Sequence, residues 1–449
     1  MSKPEHVVVA GGGFAGLGVA YGLAERGVAV TLCEADSELG GLAGTFPVGN
    51  VRLEKFYHHW FTSDAVALEI VHRLGLGEDL VRKPTYTGSW YSGRVHRLST
   101  PFDLLRFSPL PLADRVRLAR LVLRARATEE WRDLEHITAR EWLIRLGGER
   151  VYRVVWEPLL RGKFGAYAED IAAVWIWGKL RLRGGSRGRN RQEELLYLRG
   201  GFGRLAQAIA DRIVARGGEV RLGVPVTQVL MNNGHAVGVR LAEGTELHGD
   251  AVVLTMAPQQ ALSLLPCVPQ HLGAQLAAIP YLAAQCLVLE LDRSLSEAYW
   301  LNVTDTDAPF VGVIEHTNFE PPANYAGRHI VYLSKYLPVD HPDYLASEAT
   351  VTSRYLEHLG RMFPSLRDDW ILRTSLWRAR YAQPVVLTDY RSRIPPVQTE
   401  VKGLWLCNMA QVYPEDRGTN YALKYGLECA ERLLRSKVSP PKESLLVVS

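Results

Sequence analysis

The chain has 449 residues, of which 47% are hydrophobic and 22% are charged, a composition typical of a soluble globular protein with two or three domains. Its formal net charge of +4 is small for this length, so bulk charge gives no indication of nucleic-acid binding. No window offers about 18 uncharged apolar residues, which argues against an integral membrane segment, and the five cysteines lack metal-ligand or redox spacing, which predicts no metal site and favours a reducing, cytoplasmic location.

The first predicted elements form a βαβ unit. The apolar run Val7–Ala10 predicts a buried parallel strand, Phe14–Arg26 a helix and Val28–Cys33 a second strand. The backbone N–H groups at the start of the helix, those of Phe14 and Ala15, have no partner within the helix and can hold an anion.

The turn between this strand and helix carries a dinucleotide-binding pattern, Gly-Gly-Gly-Phe-Ala-Gly at residues 11–16. In such a turn Gly11 allows the tight bend, Gly13 lets the backbone approach a pyrophosphate, and Gly16 lets helix and strand pack closely. Glu34 ends the second strand, where a carboxylate can accept both ribose hydroxyls and would repel a 2′-phosphate. The alternative, an ordinary glycine-rich turn, does not explain this context.

Further along the chain the pattern alternates between helices and strands. A long stretch from about Leu76 to Arg191 is predicted to be helical, and the tail 438–449 is predicted to be flexible. The other predicted elements are helices at Gly200–Arg216 and Thr419–Arg435 and strands at Glu219–Leu222, Ala236–Leu241, Ala251–Leu254, Ala284–Leu291, His329–Leu333 and Gly403–Cys407.

Three segments resemble the superfamily of FAD-dependent amine oxidases, protoporphyrinogen oxidases and phytoene desaturases. They are Glu34–Thr45, Gly200–Val226 and Gly403–Leu433. The resemblance implies that FAD is the cofactor, that the turn containing Ala35, Gly41 and Leu42 wraps it, and that the backbone of Val226 lies against its adenine. A second GxGxxG unit for NAD(P)H is missing, so electrons are expected to come from the substrate and to pass to O2 or another acceptor.

The implied fold class is α/β, with a Rossmann-type FAD-binding domain of the glutathione-reductase-like GR2 type and a second, mixed α+β substrate domain. Segments 1–75, 195–265 and 395–437 are predicted to form the FAD-binding domain. Segments 76–194 and 266–394 are predicted to form the substrate domain, which includes a helical insertion.

The segment before the last helix also has a physical interpretation. Arg417, Gly418, Thr419 and Asn420 place a cation and free helix N–H groups where a reduced, anionic flavin would gain from them. The sequence departs from the superfamily at Asn408-Met409, where a Gly-Asp pair is usual. Asn408 is therefore either a cofactor contact or a plain loop residue, and Asp416 is a weak candidate for the missing carboxylate.

Two adjacent histidines are candidates for substrate chemistry. His58 and His59 stand among aromatic residues, which suits general acid–base work or a stacked ring system, and the alternative is a hydrogen-bonded structural role. This stretch partly resembles UDP-galactopyranose mutases: His58 and Thr62 match their motif, but its second histidine falls on Phe61.

Two further segments supply candidates. Trp377–Pro384 resembles the strand beside the flavin in the superfamily, which makes Tyr381 a catalytic candidate and Arg380 a substrate-binding one. Lys163, in the helical insertion, is a catalytic candidate that could approach the flavin or an anionic substrate. The alternatives are a buried structural role for Tyr381 and a surface position for Lys163.

Arginines are concentrated in two places. A basic run from Lys179 to Arg191 is either a solvated loop or an anion site that uses Arg187, Arg189 and Arg191 to bind substrate. An arginine-rich helix between Arg115 and Arg126 is either a salt-bridged surface helix or a peripheral membrane contact.

These features favour an FAD-dependent oxidoreductase of the amine oxidase type, acting on a small-molecule substrate. It would take a hydride from a C–H or C–N bond of a bulky molecule with aromatic or apolar character and an anionic group. Two alternatives remain: a non-redox flavin isomerase of the nucleotide-sugar mutase type, and a cofactor-holding scaffold without turnover. Stacking platforms for nucleic acid are not evident.

Overall fold

A computed structural model describes residues 4–97, 101–185, 193–305 and 307–436. The strands are β1 (His6–Ala10), β2 (Ala29–Cys33), β3 (Thr45–Val48), β4 (Val51–Glu54), β5 (Trp60–Phe61), β6 (Leu80–Pro84), β7 (Thr87–Tyr91), β8 (Arg94–Arg97), β9 (Glu194–Leu198), β10 (Glu219–Arg221), β11 (Val226–Asn232), β12 (His235–Leu241), β13 (Glu246–His248), β14 (Ala251–Leu254), β15 (Tyr281–Leu291), β16 (Trp300–Val303), β17 (Gly312–Glu315), β18 (His329–Leu337), β19 (Ile371–Pro384) and β20 (Leu404–Leu406).

The helices are α1 (Phe14–Ala24), α2 (Ala65–Arg73), α3 (Pro101–Arg106), α4 (Leu112–Ala127), α5 (Ala139–Gly147), α6 (Glu149–Val151), α7 (Glu157–Phe164), α8 (Ala173–Gly185), α9 (Phe202–Ala215), α10 (Pro258–Ser263), α11 (Gln270–Ala277), α12 (Pro342–Leu345), α13 (Glu348–Met362) and α14 (Thr419–Arg435). Within the described ranges, no helix is long and apolar enough to cross a membrane.

A five-stranded parallel sheet, in the order β10-β2-β1-β14-β20, forms the centre of the predicted dinucleotide fold. Residues 7–10 of β1 are apolar because both faces of the strand are covered there. Val7 and Val9 pack with α1, α9 and α14, whereas Val8 and Ala10 pack under the antiparallel sheet β11-β12-β13. The predicted α/β class with a parallel sheet is confirmed, and α1 and α14 begin at the predicted residues.

A second sheet has seven strands of mixed direction, in the order β19-β15-β18-β17-β16-β7-β8. The helices α4 to α8 form a separate apolar core beside it, in which Trp142, Trp156, Trp175 and Trp177 are buried. The division of the chain into an FAD-binding domain and a substrate domain stays a prediction.

The prediction that the chain is helical from about Leu76 is wrong at its beginning. Residues 80–97 form β6, β7 and β8, and helices begin only at Pro101. The reason is local: Thr87–Tyr91 pairs with Arg94–Arg97 across a tight turn in which Ser92 and Gly93 both have positive φ angles. β7 then joins β16, so tertiary pairing completes the strand. The predicted flexible tail 438–449 lies outside the described residues.

Candidate active site

A cavity of about 590 Å³, called the cofactor cavity below, opens at the carboxyl ends of β1, β2, β14 and β20. In open parallel sheets this edge is where ligands bind. The predicted cofactor residues that line this cavity are Gly11, Gly13, Phe14, Ala15, Glu34, Ala35, Gly41, Leu42, Val226, Asn408, Arg417, Gly418 and Thr419.

The turn at residues 11–16 has the geometry of a phosphate loop. Gly11 has φ +109°, a left-handed conformation that favours glycine. A Cβ atom on Gly16 would lie 1.9 Å from the Gly11 carbonyl oxygen, so only glycine lets α1 begin so close to β1. The first turn of α1 carries no acidic residue and no side-chain cap, which leaves its positive end available to a diphosphate.

Glu34 closes this loop from the end of β2. Its carboxylate accepts the Gly12 N–H at 2.5 Å through Oε2 and the Asp36 N–H at 2.9 Å through Oε1. Each oxygen keeps a second lone pair, so ribose hydroxyls can still donate to the same carboxylate. Glu34 therefore organises the loop and lines the cofactor cavity, and its contact with the ribose stays a prediction.

The Glu34→Gln variant is expected to bind FAD about tenfold more weakly, since one charged acceptor becomes a neutral amide. The far-ultraviolet circular dichroism should not change. FAD affinity of the refilled apoprotein measures the effect, and Glu246→Gln, which alters an exposed ion pair with Arg240, is the control. Unchanged FAD affinity would show that Glu34 supports the loop alone.

Asn408, which follows β20, provides a test of cofactor fit. Its Oδ1 accepts the Ala410 N–H at 3.1 Å, but its buried Nδ2 has no hydrogen-bond partner. Buried donors are almost always satisfied, and this residue lines the cofactor cavity. A phosphate or ribityl oxygen of FAD would supply the acceptor, so the donor set fits the cofactor without the usual carboxylate.

A second cavity, of about 380 Å³, lies between the helical insertion and the seven-stranded sheet and is called the substrate cavity below. Its wall is mostly apolar and aromatic, which suits a bulky organic molecule. Aromatic side chains in this wall are Phe56, Tyr57, Trp60, Phe61, Trp156, Trp175, Trp300, Tyr336 and Tyr421.

The two cavities meet at residues that line both: Leu42, Phe56, His58, Arg417, Gly418 and Thr419. His58 Nδ1 lies 2.7 Å from the Phe56 carbonyl oxygen. Since a carbonyl only accepts, Nδ1 carries the proton and Nε2 is left as an acceptor. Burial lowers the pKa of His58 to about 4, so the imidazole is neutral near pH 7.

Arg417 supplies positive charge at the same junction. Its Nε donates to Gln383 Oε1 at 2.9 Å and its Nη2 donates to the Tyr336 hydroxyl at 2.6 Å. It stands directly before α14, whose N-terminus has no side-chain cap. The guanidinium and the helix end together favour negative charge here, as expected beside a reduced flavin.

The structure separates the other predicted residues. His59 lines only the substrate cavity, with Nδ1 3.0 Å from the Tyr299 hydroxyl. Lys163 also lines it and lies 3.9 Å from Asp416 Oδ2. Asp416 itself belongs to this cavity and not to the cofactor cavity, so it does not replace the missing carboxylate.

Arg380 and Tyr381 line the cofactor cavity and not the substrate cavity. Tyr381 is therefore compatible with its predicted position beside the flavin, whereas Arg380 does not reach the cavity in which it was expected to bind substrate. The pairing of β19 with β15 has a register shift here, which interrupts the regular alternation of side chains, and Ala382 lines the substrate cavity. Asn420 also differs from expectation: its Oδ1 accepts the Ala67 N–H at 3.0 Å, so it anchors α2 outside the cofactor cavity. Arg187, Arg189 and Arg191 lie outside the described residues.

Part of the basic run is helical, because α8 extends to Gly185. Lys179 lies in this helical part, and the sequence-based prediction does not include it among the site residues. Trp175, Ile176, Lys179 and Leu180 all line the substrate cavity, and their spacing is that of one helical face. This periodicity was the signal available in the sequence.

The comparisons with known proteins agree with this geometry. Residues 14–434 match the family model described as flavin containing amine oxidoreductase. A hydroxyneurosporene desaturase of Cereibacter sphaeroides is 28% identical over 298 residues, which cover 57% of this chain and 57% of the desaturase.

Two solved structures share the fold. A reduced UDP-galactopyranose mutase has a TM-score of 0.75 at 15% identity and covers 96% of each chain. A putrescine oxidase bound to putrescine has a TM-score of 0.71 at 16% identity, over 97% of this chain and 100% of the oxidase. At these identities the likeness concerns the fold alone.

The chain belongs to the flavin containing amine oxidoreductase family, since the family model covers most of its length. The predictions of the family, of the FAD cofactor and of an FAD-dependent oxidoreductase class are thereby confirmed. The chain spans little more than half the length of the desaturase that it matches. Its particular reaction and substrate are therefore treated as proposals.

Proposed function

We propose that the protein uses FAD to dehydrogenate a bulky, largely apolar molecule held in the substrate cavity. The observation that carries this proposal is the position of His58, a neutral imidazole with a free acceptor nitrogen at the junction of the two cavities. A reaction centre needs a hydride acceptor on one side and a positioned base on the other.

Dehydrogenation removes a hydride and a proton, and a single bond of the substrate becomes double. Bound FAD supplies the hydride acceptor. His58 Nε2 takes the proton from the neighbouring atom, and Arg417 with the start of α14 stabilises the negative charge that develops. The aromatic wall excludes water from the reacting bond. O2 or another external oxidant takes up the two electrons in the second half-reaction.

A C–H bond is favoured over a C–N bond by the wall of the cavity. Its large aromatic surface suits an extended hydrocarbon or ring system, and the curated relative is named a desaturase. No observation favours the mutase alternative, whose predicted diphosphate contacts at Arg187, Arg189 and Arg191 lie outside the described residues.

Anaerobic titration of the purified yellow protein tests the proposed function. Bulky polyene or fused-ring compounds should bleach the visible flavin absorbance, whereas small neutral amines should not. Turnover of a nucleotide sugar after dithionite reduction, without consumption of an oxidant, would instead support the isomerase. A colourless protein that cannot be refilled with FAD would contradict both.

We also infer that α4 lies against an anionic membrane surface. Leu112, Val116 and Leu123 share one helical face and are 67%, 45% and 63% exposed. Residues 106–127 contain six arginines and one aspartate, a net charge of +5 against +4 for the whole chain. An apolar stripe among arginines is the pattern of an interfacial helix.

The free cysteines support a reducing compartment such as the cytoplasm.

Replacing Leu112 and Leu123 together by serine is expected to lower the partition of the protein onto phosphatidylglycerol vesicles by roughly tenfold or more. Co-sedimentation at several salt concentrations measures it, and binding should weaken as salt rises. Leu345→Ser is the matched control, because Leu345 is 70% exposed on a different helix. Equal binding of both variants would rule out this face.

A further inference from the structure

Gln383 is a fully buried glutamine near the end of β19 that lines neither the cofactor cavity nor the substrate cavity. Its Oε1 accepts the Nε–H of Arg417 at 2.9 Å, and Arg417 lines both cavities. Gln383 can therefore influence the junction of the cavities through Arg417, without itself touching a bound molecule.

The opposite end of the Gln383 amide is held by two acceptors. Its Nε2 donates to the Pro384 carbonyl oxygen at 2.9 Å and to Asp416 Oδ1 at 3.4 Å. Burial raises the pKa of Asp416, but neighbouring cations, Lys179 first among them, lower it by more, so its carboxylate is ionised. Because a carbonyl and a carboxylate only accept hydrogen bonds, the NH2 end points to them and the amide oxygen is left for Arg417.

A second uncharged group holds the other side of the guanidinium. Arg417 Nη2 donates to the hydroxyl of Tyr336, near the end of β18, at 2.6 Å. Asp416, the sequence neighbour of Arg417, is paired with Lys179, and Arg417 forms no ion pair with any residue that the structure describes. Burial works against the charged form, but the neighbouring Tyr336 and Asp416 raise the pKa of Arg417, so it stays charged. Its positive charge is therefore fixed in position and is not cancelled by a paired carboxylate.

The remaining donors of Arg417 are available at the junction. A guanidinium has five N–H donors, and here Gln383 and Tyr336 each take one of them. Across the described ranges the others have no hydrogen-bond partner. A charge that is already oriented stabilises developing negative charge without reorganising when the reaction occurs.

We propose that Gln383 is a positioning residue for flavin reduction. By holding Arg417 in place it favours the reduced, anionic form of bound FAD and raises the reduction potential of the cofactor. This inference rests on the proposed function for the place of the flavin at the junction of the cavities. It adds a residue, outside both cavities, that sets how readily the cofactor accepts a hydride.

The reduction potential of bound FAD tests this inference without any substrate. It is measured by anaerobic reduction of the holoprotein in equilibrium with a reference dye. Gln383→Met keeps the length of the side chain and removes the acceptor, so it should weaken the binding of reduced FAD relative to oxidised FAD by roughly tenfold. For a two-electron couple this lowers the potential by about 30 mV. The reduced flavin should also keep its N1 proton to a higher pH, which its near-ultraviolet absorbance reports.

A double-mutant cycle shows whether Gln383 acts through Arg417. Arg417→Met should lower the potential further than Gln383→Met does, and combining the two should add nothing. Gln285→Met is the matched control, because Gln285 is equally buried and its Oε1 accepts the Nε–H of Arg378 at 3.1 Å. Arg378 is exposed, so solvent screens its charge and the control should keep the potential of the original protein.

FAD content and thermal unfolding show whether each variant is folded. Gln383→Asn, whose amide stays polar but is shorter by one CH2 group, is measured beside Gln383→Met and should lower the potential in the same direction.

Four outcomes would overturn the inference. They are an unchanged potential in both Gln383 variants, loss of FAD from both of them, a fall that persists in the Arg417→Met background, and an equal fall in the Gln285 control. A lowered potential in a protein that no polyene or fused-ring compound bleaches would contradict dehydrogenation and leave the role of Gln383 standing.

Discussion

Replacing Gly16 by alanine is expected to abolish FAD binding, with a dissociation constant raised by roughly 100-fold or more. The new Cβ would stand 1.9 Å from the Gly11 carbonyl oxygen, which is backbone and cannot rotate away. The loop must therefore move away from α1, and the N–H groups of the first helical turn would no longer point toward the diphosphate.

The FAD content of the purified variant and the affinity of its apoprotein for added FAD measure this effect. Gly360→Ala is the matched control. Gly360 lies within α13, and a Cβ atom added there would meet nothing within 4 Å. The control should bind FAD as the original protein does. Stoichiometric FAD in the Gly16 variant would show that the loop in solution differs from the one described.

Replacing His58 by glutamine or alanine is expected to slow anaerobic flavin reduction by roughly 10²- to 10⁴-fold, the usual contribution of a positioned base. FAD should remain bound, because the cofactor contacts proposed above are made mainly by the loop at residues 11–16, Glu34 and Asn408. The rate is measured by stopped flow with a substrate that bleaches the flavin. His59→Gln, at a residue bonded to Tyr299 and absent from the cofactor cavity, should cost much less.

The pH dependence of the same rate tests the protonation state of His58. Because burial lowers the pKa of this histidine to about 4, the neutral form persists well below the usual range. The base is lost only when protons bind, so the rate should fall as the pH drops through about 4 and should not vary with His58 between pH 6 and 8. A decline centred near pH 6.5 would show that His58 is solvated and is not the buried base.

Most residues that the sequence predicts to bind the cofactor line the cofactor cavity, and their contacts with FAD stay a prediction. Gly11, Gly13 and Glu34 belong to one βαβ unit, and the rules that place them act over about 30 residues of chain. Asn420 shows the limit of prediction from local rules. It follows Thr419 directly, yet its side chain bonds to Ala67 of α2, a partner that no local rule identifies.

The residues of the substrate cavity were harder to predict from the sequence. Arg380 and Tyr381 were placed on the correct strand, but only its pairing with β15, including a register shift between Leu282 and Ala284, determines which cavity each side chain faces. Lys179 belongs to a basic run in the sequence, and only its helical spacing with Trp175 indicates that the two residues share one face of α8.

By itself, the sequence determined the family, the FAD cofactor and the strand–loop–helix that receives the diphosphate, because these depend on short-range backbone geometry and on glycines that no other residue can replace. Only the tertiary structure decided that His58 stands between two cavities and that Lys163, Lys179 and Asp416 meet in the wall of one of them. These residues come from separate elements, and their convergence depends on packing between distant segments, for which a single sequence carries no local signal.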